Sequence, residues 1–236
     1  MGAKKIKPVK PVSSKPSIVI EETYVEQLRI WAEKHMVMIV GISAAVLLMI
    51  LSIWGVRAYA NYKENSARDA YTAVASQIPG EKATTEEWDK LISDLQKFVS
   101  EHGGTQPGLL ARIELSRAYF ETKRYDEAVK AASEALKSAP SDHVLHPLVQ
   151  YQLAYAYDAA GKPEEAAKVW EKLRELKTGS IEREADWNLG RIYAANKEYE
   201  KAAEAFQKAA QAPGSYPSPA LIDQELARSK QQAGQK

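Results

Sequence analysis

The chain has 236 residues, 45% of them hydrophobic and 27% charged, with 32 Lys and Arg against 31 Asp and Glu. Its formal net charge of +1 lacks the basic excess of a dedicated nucleic-acid binder, and the absence of cysteine excludes disulfide frameworks, thiolate metal sites and thiol catalysis. A mean hydropathy of −0.42 suits a soluble protein, yet that average conceals Met36–Val56, a stretch of 21 residues without one charge.

Residues 1–20 are rich in Lys, Pro and Ser. Pro8, Pro11 and Pro16 exclude a regular helix and little can be buried, so a disordered tail is expected. Its lysines either lie on anionic lipid or simply set topology. Residues 21–35 read as an amphipathic helix, with Tyr24, Leu28, Trp31 and His35 at spacings of 4, 3 and 4. It runs into the bilayer or lies at its surface.

Residues 36–56 follow as a transmembrane helix. At 1.5 Å per residue the run spans roughly 31 Å, the thickness of a bilayer's hydrocarbon core. A buried helix of a soluble core would keep a polar face. Ala58-Tyr59-Ala60 has the small-residue pattern of a signal-peptide cleavage site, but the apolar run is longer than a signal's and 35 residues precede it, so a retained anchor is expected. Residues 1–35 carry net charge +3 and residues 57–236 net −2, which favours a cytoplasmic N-terminus and a translocated C-terminal part. Trp31, Trp54, Tyr59 and Tyr62 suit the two membrane interfaces. Gly41 and Ala45 form a small-xxx-small pair, a weak pairing signal that a run with several Gly, Ala and Ser also produces by composition.

Residues 57–102 continue in helical spacing through Ala58, Tyr62, Ala70, Tyr71, Val74 and Ile78, and Pro79-Gly80 stops the pattern. Thr84 and Glu87 have capping-box spacing. Trp88, Leu91, Ile92, Leu95, Phe98 and Val99 form the apolar stripe of a second helix that ends at His102-Gly103-Gly104. No segment alternates with period two, so the part beyond the anchor is expected to be all-α.

An internal repeat then appears. LSRAYFETKRYDEAVKAASEA, LAYAYDAAGKPEEAAKVWEKL and LGRIYAANKEYEKAAEAFQKA align on Tyr119, Tyr157 and Tyr193. Each has a Leu four residues before the tyrosine (Leu115, Leu153, Leu189) and an Ala nine after it (Ala128, Ala166, Ala202). The small residues Ser116, Ala154 and Gly190 follow the leucines, where two helices of a hairpin must come close. Gly161-Lys162-Pro163 reads as a tight turn between them. Ala132, Trp170 and Phe206 extend the packed face of each second helix. These residues resemble the tetratricopeptide repeat, a 34-residue helical hairpin that buries its core by stacking. Three units cover about 109–142, 147–180 and 183–216, and 57–102 reads as a degenerate fourth. Residues 217–236 read as a C-terminal capping helix and tail, with Leu221 and Leu226 turned inward. The fold class is therefore all-α: one N-terminal transmembrane helix followed by a tetratricopeptide α-solenoid.

The order of parts carries a finer resemblance. An acidic pair before VEQLRIWAEKH, then the anchor, then VRAYANYKENSARDAYTAV, then repeats is similar to the ancillary SecYEG translocon subunit family of bacterial inner membranes. Glu22, Val25, Glu26 and Trp31 before the anchor and Ser66, Ala67 and Tyr71 behind it carry the similarity. It implies a single-pass protein with a periplasmic repeat domain that associates with translocon subunits and periplasmic chaperones.

No catalytic constellation is visible. His143 and His146 are neighbours beside Asp142, too few ligands for a metal. Glu164-Glu165 and Glu86-Glu87 fall in first turns of helices, where they complement the dipole. No cofactor, small-molecule substrate or nucleic acid is expected. The working surface is expected on the concave side, lined by the first helix of each unit: Ile113, Arg117 and Phe120, then Tyr151, Tyr155 and Asp158, then Trp187 and Arg191. Aromatics and arginine are the usual binding hot spots, with inter-repeat packing as their other role. Glu114, Gln152 and Asn188 stand where repeats that capture acidic C-terminal peptides carry Lys and Asn, which argues against that ligand. The expected function is a non-enzymatic inner-membrane scaffold linking the Sec translocon to envelope chaperones. The alternatives are a structural or assembly subunit of another envelope complex, or a cytosol-facing tetratricopeptide receptor.

Overall fold

The computed structural model describes residues 19–80, 83–176 and 180–235, and their regular structure is entirely helical. Residues 1–18 of the Lys/Pro-rich segment lie outside the described residues, and its last two, Val19 and Ile20, belong to the first helix. The chain divides between Tyr59 and Ala60 into two units.

In the first unit, α1 (Val19–Lys34) meets α2 (Met36–Ala75) at His35. His35 is a turn between the two helices: its N–H donates to the Trp31 carbonyl at 3.1 Å and its carbonyl accepts from the Ile39 N–H at 2.9 Å. No residue in the apolar run of α2 is buried by protein, and its length and hydropathy suffice to cross a membrane.

In the second unit, the end of α2 packs Ala67, Ala70, Tyr71 and Val74 against Leu91, Leu95 and Phe98 of α3 (Thr85–His102). The Thr84–Glu87 capping box is formed in full and starts α3. Next come α4 (Gln106–Glu121) with α5 (Tyr125–Ser138), α6 (His146–Ala159) with α7 (Pro163–Glu175), and α8 (Ser180–Ala195) with α9 (Tyr199–Gln211). These are three successive hairpins, and α10 (Pro219–Ala233) follows the last. From α3 onward each helix packs on the next in sequence, the nearest-neighbour pattern of a solenoid.

The three hairpins repeat bond for bond. The Arg124, Lys162 and Glu198 N–H groups donate to the carbonyls of Tyr119, Tyr157 and Tyr193 at 2.8–2.9 Å. The preceding residues, Lys123, Gly161 and Lys197, all adopt positive φ, at 59°, 70° and 62°. This closure satisfies the last carbonyls of each first helix by a left-handed residue. Sequence marks the site only at Gly161, because lysine there resists the conformation that the turn imposes. Close approach within the hairpins falls at Ser116, Ala154 and Gly190. Ser116 Oγ donates to the Ala128 carbonyl at 3.0 Å, Ala154 is fully buried, and a Cβ on Gly190 would stand 2.6 Å from the buried Phe206 ring.

Two anchors went unmarked in the sequence. Glu64 of α2 accepts a bond from the Gln106 N–H at 3.1 Å, tying the first turn of α4 to the preceding helix. Arg183 of α8 is 3% exposed and donates to the carbonyls of Ala209, Ala212 and Pro217 at 2.8–3.2 Å. It thereby neutralises the carbonyl end of α9, where a cation is favoured. One expected contact differs: Ile222 of α10 is buried and Leu221 is 40% exposed. The N-cap Ser218 sets α10 rotated so that Ile222 faces Trp187 and Phe206.

Two stability predictions follow from these turns and contacts. Gly161→Ala meets no atom within 4 Å, so its cost is purely backbone, about 1 kcal/mol, while Lys123→Gly raises stability by up to about 1 kcal/mol. Urea unfolding of both variants checks the opposite signs. Gly190→Ala destabilises by about 1–3 kcal/mol through overpacking, although alanine is the better helix former. Adding Phe206→Leu recovers part of that loss in the same measurement.

Candidate protein-binding groove

The first helices α4, α6 and α8 stand side by side and carry the candidate residues, six of them on exposed or half-buried faces. Arg117 and Phe120 of α4 meet Tyr151, Gln152 and Tyr155 of α6 around a cavity of about 290 Å³, with Ser116 at its edge. Phe120 is held by an edge-on contact with Tyr125 at 5.4 Å. Arg117 is placed by Glu114 at 3.1 Å and by the Trp88 ring, 5.6 Å from the guanidinium. The walls are aromatic faces, and the guanidinium stands at the rim.

Beneath the two tyrosines lies Trp170 of α7, fully buried. Tyr151 and Tyr155 pack edge-on against it at 5.6 and 5.0 Å and edge-on against each other at 5.0 Å. Their hydroxyls converge on one carboxylate oxygen of Glu184 in α8, Tyr151 at 2.7 Å and Tyr155 closer still. Asn188 donates to the Glu184 carbonyl at 3.0 Å and accepts from Arg191 at 2.9 Å, and Arg191 pairs with Asp158 at 3.4 Å. Four of the residues expected from sequence, Tyr151, Tyr155, Asp158 and Arg191, thus belong to one network between α6 and α8. Burial first, and the Glu184 acceptor second, push the Tyr151 hydroxyl up to about 12 and raise Tyr155 as well.

Ile113 and Trp187 do not line this groove. Ile113 is 4% exposed and packs with Leu109, Ala135, Ala139 and Val149 in the seam between the first two hairpins. Trp187 is 8% exposed and stacks on Phe206 at 5.2 Å, within a core that α10 completes. A tryptophan at the last repeat has no following hairpin, so the terminal helix covers it. Arg191 and Trp187 also edge a second cavity of about 410 Å³, bordered by Tyr199, Leu221, Glu225 and Arg228.

Glu184 was not singled out by sequence. Its signal is the spacing of Glu184, Asn188 and Arg191, which repeats the 4-then-3 steps of Tyr151, Tyr155 and Asp158 and sets two matching faces side by side. His143 and His146 serve local structure, the first paired with Gln106 and the second with the Ala139 carbonyl at 2.9 Å. Among the described residues no group of three His, Cys, Asp or Glu could hold a metal ion.

Comparison with known proteins fits this arrangement. The profile of a tetratricopeptide repeat-like domain matches residues 30–228, most of the chain and the whole of its apolar helix. The chain belongs to the tetratricopeptide repeat-like domain family. No curated protein matches it in sequence. Among solved structures, it is similar to the nearly identical TPR-like repeats of a candidate kinesin light chain from Podospora anserina, at 22% identity and TM-score 0.53, over 75% of this chain and 87% of that one. It is also similar to a MamA protein, at 15% identity and TM-score 0.57, over 74% and 84%. A further MamA structure, residues 41 to the end from Desulfovibrio magneticus, matches at 14% identity and TM-score 0.50 over 74% and 97%. At such identities the likeness is one of fold. The family fold is typically a non-catalytic scaffold for protein interaction.

The tyrosine pair yields a pH prediction. With its native value raised from 10 to about 12, Tyr151 keeps its proton after the unfolded chain has lost it. Stability therefore falls as pH rises from 10 towards 12. Glu184→Gln removes the charge but keeps an acceptor, so the slope of that fall becomes shallower without vanishing. Urea midpoints between pH 9 and 11 measure both slopes.

Proposed function

We propose that this protein is a single-pass inner-membrane scaffold whose repeat domain lies in the periplasm and captures protein partners in the groove between α4 and α6. The observation that carries the reading is the cavity walled by Phe120, Tyr151 and Tyr155 and rimmed by Arg117. Rigid aromatics with an arginine at the edge are the side chains that most often anchor a protein interface. Glu184 and Trp170 fix the tyrosines in place, so little rotamer freedom is lost on binding. Arg191 and Asp158 extend the surface as a rim of paired charge, which contributes to specificity and encounter rate. No small-molecule substrate or nucleic acid enters this reading.

The membrane side of the proposal rests on the uncharged run Met36–Val56 and on the excess of Lys and Arg before it. Residues 36–56 serve as the anchor, the basic tail remains in the cytoplasm, and lipid is the partner of the apolar run. Anchoring raises the local concentration of the groove at the membrane without any new contact. The resemblance through Glu22, Val25, Glu26, Trp31, Ser66, Ala67 and Tyr71 makes translocon subunits and periplasmic chaperones the proposed partners. Under this reading 57–102 is a degenerate repeat joined to the anchor, 109–216 are the three full repeats, and 217–236 form the cap and tail.

Two fusions and one pair of variants test the proposal. Alkaline phosphatase attached after Lys236 is active and green fluorescent protein at the same point is dark. The opposite result places the repeats in the cytosol. Co-purification in mild detergent recovers translocon subunits or envelope chaperones. Arg117→Glu with Arg191→Glu reduces that recovery several-fold while leaving the helical circular dichroism unchanged. Full recovery with the double variant removes the groove assignment.

A further inference from the structure

Arg117 and Arg191 occupy the same place in their repeats, each two residues before the repeat tyrosine, Tyr119 or Tyr193. Helical periodicity sets both on the same face of their first helices. Each borders a cavity there: Arg117 the one of about 290 Å³ between α4 and α6, Arg191 the one of about 410 Å³ enclosed by α8, α9 and α10. The joint between them, α6 against α8, is closed, because Tyr151 and Tyr155 are bonded to Glu184 and Asp158 is paired with Arg191. The cavity at α10 is lined by the rings of Trp187, Tyr199 and Phe206 and by Arg191, Arg228 and Glu225. Two guanidiniums against one carboxylate leave this lining with an excess of one positive charge. Both bonds of Arg191, to Asp158 and to Asn188, use Nη1, and its Nη2 is unbonded among the described residues. The Arg228 side chain is 68% exposed, and its one ion pair among the described residues is the 3.8 Å contact with Glu225.

We propose that the cavity at α10 is a second docking point for the same partner segment, and that it takes an apolar side chain neighboured by a carboxylate. The inference rests on the reading of the α4–α6 cavity as a partner groove. The aromatic rings match the apolar part of this ligand. The unbonded Nη2 of Arg191 and the exposed Arg228 match the carboxylate, which guanidinium groups bind in paired, planar geometry. A basic side chain would meet the same excess of positive charge and be repelled. Reach makes one segment the occupant of both cavities. Packed helices stand about 10 Å apart, so two steps along the first helices separate the cavities by roughly 20 Å. An extended chain rises about 3.3 Å per residue and covers that distance in about six residues. Two anchors on one chain make the second contact intramolecular, which multiplies affinity. The closed joint lies under the middle of such a segment, where no pocket is needed.

A phage-displayed library of random peptides of about twelve residues, selected on the full chain in lipid nanodiscs, tests this. Enriched sequences carry two large apolar residues about six positions apart, at least one of them beside Asp or Glu. A synthetic peptide of the enriched sequence is then titrated calorimetrically. Arg228→Glu reverses a charge at the cavity, and Ala195→Trp fills it from an exposed position. Each weakens the peptide about tenfold or more, with the helical circular dichroism unchanged. A peptide whose acid-flanked anchor is replaced by glycine binds the native chain and both variants alike. The inference is overturned by no enrichment, by enriched sequences lacking the second anchor or the acid, or by unchanged affinity in either variant. Arg117→Glu reads the first cavity separately. Loss of the peptide there with none at Arg228→Glu removes the second docking point alone, and no loss with either removes the groove as well.

Discussion

Each hairpin depends on two helices approaching so closely that only a very small side chain fits between them. Ser116 bonds to the Ala128 carbonyl, Ala154 is fully buried in one cluster with Ala166, and Gly190 leaves its space to the Phe206 ring. That approach fixes where the second helix of each pair sits, and so which face of the first helix is left for its neighbour. Stacking then follows, because none of these helices can hide its apolar face alone. The groove is a by-product of the same constraint. With the second helices packed close behind, Arg117, Phe120, Tyr151 and Tyr155 are carried together on the opposite side.

Much of this was legible in the sequence, since helical hairpins write their rules locally. The Leu, small residue, Tyr and Ala of each repeat lie within about twenty positions of one another, and their spacing encodes both helices and the point of contact. The turns were half legible. Gly161 announces its left-handed conformation, while Lys123 and Lys197 adopt it under tertiary constraint against their own preference. Long-range bonds left no local trace. Glu64 reaches α4 across 42 residues and Arg183 reaches Pro217 across 34, and no spacing rule connects such pairs.

The same distinction explains the candidate residues. Arg117, Phe120, Tyr151, Tyr155, Asp158 and Arg191 share one face because helical periodicity places them there. Ile113 and Trp187 occupy matching repeat positions yet are buried, because exposure depends on what stacks next and that information is not local. Trp170 shows the reverse: it is a core residue, and it shapes the surface by supporting two tyrosines from below. Glu184 binds their hydroxyls from the next repeat, so the wall of the groove is built by three helices although only one supplies its side chains.

Arg183 has a consequence for where the repeat domain ends as a folding unit. Among the described residues its buried guanidinium bonds only to carbonyls, one of them from Pro217 beyond the third hairpin. A fragment that stops after residue 216 would lose that acceptor, uncover Trp187 and Phe206, and leave the cation with only the Ala209 and Ala212 carbonyls at the edge of an apolar core. The last hairpin and the segment through Ala233 therefore fold as a single piece.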